Sequence, residues 1–259
     1  MSLIRRGIHT LLVGACFAGF WCGAVALAWI YAPAIRLIER GELARRRHVQ
    51  RLLRRCFRFF HATMGALGLV ELRTSNALAR LPPKPRILVA NHPTLVDVTA
   101  ILSALDDVCC IVKPSLMRSP FIGRLLHVAG HIDGGGGEPT SGAAAFAAAA
   151  SRLREGSSVL IFPEGTRSPL RQLHAFKRGA FELAARHDVE LLPLVLRCDP
   201  PALGKGVPFW AQPIDTAVLT LDADEPIGAG SWAGRTRALC ADVEASYRAQ
   251  LGISSKTAP

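Results

Sequence analysis

Cysteine pairs at metal-ligand spacing, a Gly-x-Ser-x-Gly elbow and a Gly-Lys-Ser/Thr phosphate loop are all missing from this 259-residue chain. Its seven cysteines (Cys16, Cys22, Cys56, Cys109, Cys110, Cys198 and Cys240) are odd in number, which speaks against a disulfide framework. No Cys-x-x-Cys or His/Cys spacing points to zinc, and nothing in the sequence calls for a metal. Without the elbow, a serine hydrolase of the usual α/β type is disfavoured. Cys109 and Cys110 stand in the apolar run of residues 108–112, which reads as a buried strand, so they are expected to be inert core thiols rather than nucleophiles. Acidic residues are also scarce. Twenty Asp and Glu face 31 Lys and Arg, a net charge of +11 that fits an anionic membrane surface or nucleic acid. No nucleic-acid-binding motif accompanies the charge, so a nucleic-acid partner is not expected.

The charge is concentrated behind an uncharged stretch. Residues 11–32 contain no charged residue, are long enough to cross a bilayer, and carry Trp21, Trp29 and Tyr31. A secretory signal is the competing reading, because Arg5 and Arg6 precede the run and small residues occur at Ala24 and Ala26. Retention is expected, since the run exceeds a signal h-region. Then come Arg36, Arg40, Arg45, Arg46, Arg47, Arg51, Arg54, Arg55 and Arg58, interleaved with Leu37, Leu43, Leu52, Leu53, Phe57, Phe59 and Phe60. That pattern suggests a basic amphipathic helix on a lipid surface, with a solvated charged face as the alternative. The arginine excess places the following domain on the cytoplasmic side. Spanning the bilayer and entering one leaflet both remain open. The chain is thus expected to divide into a membrane segment (1–60), a main folded domain (61–252) and a disordered tail (253–259).

Two strings carry the chemistry: Asn91-His92-Pro93-Thr94-Leu95-Val96-Asp97 and Phe162-Pro163-Glu164-Gly165-Thr166-Arg167-Ser168. The first follows an apolar run, residues 86–90, that reads as a strand after the breaker-rich residues 81–85. Proline suits the first turn of a helix, so a helix is expected over residues 94–105 with Asp97 about one turn inside it. From there its carboxylate can meet the imidazole of His92. A His–Asp pair suits a general base acting on a hydroxyl, with backbone amides at the start of the helix as expected oxyanion donors. The second string leaves another strand, residues 158–162, as a turn-rich loop, the kind of place where α/β sheets bind ligands. Arg167 can hold a phosphate or carboxylate, and Gly165 lets backbone approach a ligand. Mutual pairing of Glu164 with Arg167 is the alternative. Lys177 and Arg178 either bind donor phosphates or form a solvated helix start.

In order, NHPTLVD, the strand end at Lys113, Ala129-Gly130-His131-Ile132-Asp133, FPEGTRS and Leu192-Pro193-Leu194 resemble the glycerophospholipid acyltransferases, of which lysophosphatidate acyltransferase is the type. The likeness runs from about Glu71 to Arg197. It implies transfer of a fatty acyl group from acyl-CoA or acyl carrier protein to the hydroxyl of a lysophospholipid such as lysophosphatidate, with no cofactor beyond that co-substrate. By the same resemblance, His92 is the base, Asp97 orients it, and Glu164, Gly165, Thr166 and Arg167 bind the acceptor. Lys113 stands either near the acceptor phosphate or as a solvated strand end. Membrane lipids are the implied surroundings. One departure concerns Asp133, which Gly134-Gly135-Gly136-Gly137 follows where the family usually has an arginine. That leaves other acceptors open: a differently headed lysolipid, a glycolipid or a polyene alcohol. A lipid-binding protein without activity and a hydrolase are the remaining alternatives.

Strands alternating with helices give an α/β fold, a layered mixed sheet flanked by helices, the architecture the resemblance also implies. Beyond the two motifs, helices are expected over residues 116–128 (interrupted at 120–123), 142–154, 176–186 and 232–250. Strands are expected over 190–196, 207–211 and 216–221.

Overall fold

The computed structural model describes residues 2–135, 139–169, 171–228, 230 and 234–253. Among these, strands β1 (Val70–Thr74), β2 (Ile87–Ala90), β3 (Val108–Val112), β4 (Ile132–Asp133), β5 (Ser158–Ile161), β6 (Leu191–Asp199) and β7 (Ala217–Ala223) form one sheet in the order β1-β7-β6-β2-β5-β3-β4. Strands β6, β2, β5, β3 and β4 run parallel, and β7 pairs antiparallel with β6 and parallel with β1. The sheet is mixed and layered, as expected. Central β2 is buried at every position because it is covered on both faces: Ile87 and Val89 enter one apolar cluster, Leu88 and Ala90 the other. That is why it reads as a continuous apolar run rather than an alternating one.

The helices are α1 (Ser2–Ala26), α2 (Ala32–Ile38), α3 (Glu42–Ala66), α4 (Asn76–Ala79), α5 (Asp97–Ala104), α6 (Pro114–Met117), α7 (Gly123–Val128), α8 (Pro139–Arg154), α9 (Gly179–His187) and α10 (Thr236–Gln250). A π-helical turn at Leu27–Tyr31 joins α1 to α2. Phe60 and Met64 of α3 pack with Ala100 and Ile101 of α5 on one face of the sheet. On the other face, Ala149 of α8, Phe181 of α9 and Tyr247 of α10 pack together.

Helix α5 begins at Asp97, three residues later than expected. The Asp97 carboxylate draws the Thr94 N–H to 2.7 Å and the Thr94 hydroxyl accepts from Val96 N at 3.2 Å, so residues 94–96 form a tight side-chain-bonded bend. The strand expected at 207–211 is instead a loop ending in a short 3-10 turn, Phe209–Ala211. Gln212 donates to the carbonyls of Val207 (3.3 Å) and Pro208 (2.9 Å), supplying by side chain what a partner strand would supply by backbone. The helix expected over 116–128 is two short helices separated around Pro120. The expected start of the last helix at Trp232, residues 136 and 137 of the glycine run, and the tail from 254 onward lie outside the described residues.

Residues Leu3–Ile38 form one helical stretch containing an 18-residue window of mean hydropathy 2.1, long and apolar enough to cross a membrane. The arginine-rich α3 that follows is not a detached surface helix. Arg46, 2% exposed, pairs with Glu155 and donates to Ser157 Oγ at 3.0 Å. Arg47 binds Asp107 at 3.0 Å, and Arg54 binds Asp106 and the Ser103 and Ala104 carbonyls. Arg51, Arg55, Arg58 and Phe59 stay exposed. The boundary expected between residues 60 and 61 therefore falls inside α3.

Candidate active site

The site is assembled where β2 and β5 end side by side. Asn91 extends β2 by one residue with its side chain: Nδ2 donates to the Leu196 carbonyl and Oδ1 accepts the Leu196 N–H, both at 2.8 Å. This buried amide imitates a strand-pairing step and fixes the direction in which the chain leaves the sheet. His92 comes next. Its Nδ1 lies 2.7 Å from Asp97 Oδ2, its ring stacks on Phe162 at 4.3 Å between centroids, and its Nε2 makes no hydrogen bond among the described residues. Asp97 is fully buried and also holds the Thr94 N–H and hydroxyl. The side chain of His92 remains 18% exposed. An ionised Asp97 makes Nδ1 the protonated nitrogen and leaves the Nε2 lone pair facing outward.

The second motif is bound to the first through its carboxylate. Glu164 Oε1 accepts the His92 N–H at 2.9 Å, while Oε2 accepts from His174 N at 2.9 Å and from the Ser168 hydroxyl. Ser168 N donates to the His92 carbonyl at 3.0 Å. Glu164 therefore does not pair with Arg167; it points inward and braces both motifs. Burial pushes its carboxyl up to about 7, against the His174 and His92 amides that pull it down. Gly165 turns with φ +71°, a conformation suited to glycine, and a Cβ there would stand 3.0 Å from Lys177 Nζ. Half-buried Arg167 enters no ion pair among the described residues, and Thr166 Oγ1 accepts from Lys205 Nζ at 3.3 Å. Lys113, exposed, caps β3 immediately beside β5 in the sheet.

The expected oxyanion donors are otherwise engaged. Thr94 N goes to Asp97, Leu95 N to the Leu203 carbonyl at 3.0 Å, and Val96 N to Thr94 Oγ1, so none of the three amides after Pro93 points at a substrate. Three contributors were not legible as functional: Asn91 as a strand surrogate, Lys205, and Tyr247, whose buried hydroxyl lies 2.8 Å from the Val89 carbonyl and 3.0 Å from that of Leu194, bridging β2 and β6 just behind the site. Asn91 had a signal, since a polar residue ending a buried strand needs partners. Lys205 and Tyr247 had none, because their positions follow only from tertiary packing.

Residues 72–197, which contain both motifs but neither Lys205 nor Tyr247, match the family model described as Acyltransferase. The chain carries an acyltransferase-family domain. Among relatives of this family, a 1-acyl-sn-glycerol-3-phosphate acyltransferase from Chlamydomonas reinhardtii is 35% identical over 115 residues, covering 44% of this chain and 35% of that protein. The chloroplastic 1-acyl-sn-glycerol-3-phosphate acyltransferase LPAT1 of Arabidopsis thaliana is 33% identical over 112 residues, 43% of this chain and 32% of its own length. The chain thus spans about a third of these relatives' length. The acyltransferase fold itself is shown by the crystal structure of the 1-acyl-sn-glycerophosphate (LPA) acyltransferase PlsC from Thermotoga maritima, similar with a TM-score of 0.73 at 19% identity over 100% of both chains.

Proposed function

We propose that this protein transfers a fatty acyl group from a thioester donor, acyl-CoA or acyl carrier protein, to the hydroxyl of a lysophospholipid, with lysophosphatidate as the first candidate. The observation that carries the reading is the His92–Asp97 pair, with Nε2 open to substrate beside the Gly165–Arg167 turn. Asp97 holds the Nδ1 proton, and Nε2 removes the proton of the acceptor hydroxyl as its oxygen bonds to the thioester carbonyl carbon. The tetrahedral adduct then breaks its C–S bond, and the departing thiolate recovers the proton from the imidazolium. The ester and the free thiol leave; no acyl-enzyme forms. Arg167, with Lys113 on the neighbouring strand end, supplies positive charge for an acceptor phosphate.

The surroundings suit a lipid. A cavity of about 880 Å³ lies between α1, α3 and α7, lined by Gly19, Phe20, Gly23, Leu53, Phe57 and Phe60 among others, and is almost wholly apolar. Neither His92 nor Asp97 lines it, so it is proposed to shelter acyl chain rather than reacting atoms. The Leu3–Ile38 helix would hold the site at a membrane, with the arginine-rich side cytoplasmic. A second reading, an acceptor with another headgroup, is favoured by Gly134, which puts no cation after Asp133.

The test is the purified chain in vesicles with labelled acyl-CoA and a panel of lysolipids. Labelled phosphatidate formed only with lysophosphatidate is expected. Acyl release that no acceptor alters would replace transfer with hydrolysis. Removing residues 1–41, which spares α3, should abolish vesicle sedimentation.

A further inference from the structure

The Gly165–Thr166 turn is approached by two ammonium groups from separate downstream segments of the chain. Lys177 precedes α9 and lays its Nζ over Gly165, so near that even a methyl group there would meet it at 3.0 Å. Lys205 comes from the loop between β6 and β7 and reaches Thr166 Oγ1 at 3.3 Å. Consecutive Cα atoms are only ~3.8 Å apart, so both charges bear on one short piece of backbone. Arg167 follows directly, and among the described residues none of these three cations enters an ion pair. The adjacent Arg178, by contrast, pairs with Glu182 at 3.9 Å.

Lys205 is not carried on a loose tip. Leu203 N donates to Gln212 Oε1 at 2.6 Å, the Leu203 carbonyl accepts from Leu95 N at 3.0 Å, and Ala202 and Leu203 are each 4% exposed. The loop is thereby fastened to the His92–Asp97 bend itself. A fixed support that brings a cation toward two others without a carboxylate raises Coulombic energy unless an anion joins them. Its present contact is a neutral hydroxyl, which uses one of three ammonium donors.

We infer that Lys177 and Lys205 form a two-point clamp over the Gly165–Thr166 turn that, with Arg167, binds a phosphate monoester of the substrate. This rests on the acyl-transfer reading and adds to it a specificity-determining residue, Lys205, outside the segment that matches the family. Two substrates offer that chemistry: the lysophosphatidate headgroup and the ribose phosphate of acyl-CoA.

The experiment compares wild type, Lys205→Ala, Lys205→Arg and the Lys177→Ala/Lys205→Ala double variant. Loss of charge-assisted hydrogen bonds should raise the KM of the phosphate-bearing partner about tenfold or more in the double variant with kcat held within about twofold. Lys205→Arg should recover most of it. A rise confined to lysophosphatidate assigns the clamp to the acceptor; a rise for acyl-CoA that vanishes with a phosphate-free acyl-N-acetylcysteamine donor assigns it to the donor. Unchanged KM for both overturns the clamp. Inorganic phosphate should also raise the melting temperature of wild type but not of the double variant. That readout needs no turnover, so it decides the clamp even if the proposed reaction fails; equal stabilisation of both proteins would refute it.

Discussion

Glu164 Oε1 receives the backbone N–H of His92 at 2.9 Å, which makes a residue of the second motif the strut beneath the imidazole of the first. Glu164→Gln keeps the shape but turns an NH2 group toward donors from His92, Ser168 or His174. The expected result is a loss of kcat/KM of about 100-fold or more, the scale of a misplaced reacting group, with vesicle binding intact. Steady-state kinetics on folded protein checks it, and near wild-type turnover would show that Glu164 braces nothing the reaction needs.

His92→Ala should lower kcat by about 100- to 10,000-fold, the usual share of a general base. Asp97→Asn should fall in the same range by releasing the tautomer, and should also destabilise the fold, since Asp97 anchors the Thr94 bend. His92→Ala, removing a partly exposed side chain, should melt close to wild type. Calorimetry beside the kinetics separates the two effects.

Asn91→Leu leaves the Leu196 N–H and carbonyl without partners in a buried setting, and should cost about 1–3 kcal/mol for each orphaned group. Urea denaturation measures this. A loss under 0.5 kcal/mol, on the order of a surface change, would mean that water replaces the amide.

Three buried groups set the acid response. Burial lowers His61 and His131 to about 4, and His131 Nδ1 accepts the Cys110 N–H at 3.0 Å, a bond that protonation breaks. Between pH 4 and 6.5 the unfolded chain binds protons that these folded histidines refuse, so their contribution, on the order of 3 kcal/mol each, is full above 6.5 and lost as pH falls toward 4. Glu164 acts oppositely: raised to about 7, it stabilises in its protonated form at low pH and loses that contribution as pH climbs from 4.5 to 7. Urea midpoints should therefore rise from pH 4 to 6.5 in wild type and rise more steeply in Glu164→Gln. A flatter profile in the variant would reverse the assigned sign.

Strands β2, β5 and β6 lie within a few residues of where composition places them, because parallel strands buried on both faces must be apolar throughout and are bounded by breakers. The His92–Asp97 contact is legible too, although the chain reaches it differently: proline at 93 suggests a helix from 94, but Asp97 competes for the Thr94 amide and delays it. Edge strand β1, with Glu71 and Arg73 alternating outward, offered too weak an apolar pattern to mark. The inward turn of Glu164 and the approach of Lys205 depend on residues 72 and 39 positions away in sequence, which no local pattern encodes.

The three arginines that tie α3 to Asp106, Asp107 and Glu155 give the front of the chain a second duty. A cut at residue 60 would strand those carboxylates and remove Phe60 from beside Met64 in the core, so attachment and integrity would fail together. Cutting before Glu42 keeps those ties but still uncovers Val49 and Leu53, which Ala28 and Ile35 cover, and Phe60, which Phe17 meets edge-on. A shortened form therefore begins at α3 rather than after it, and needs detergent in place of the cover that α1 and α2 give.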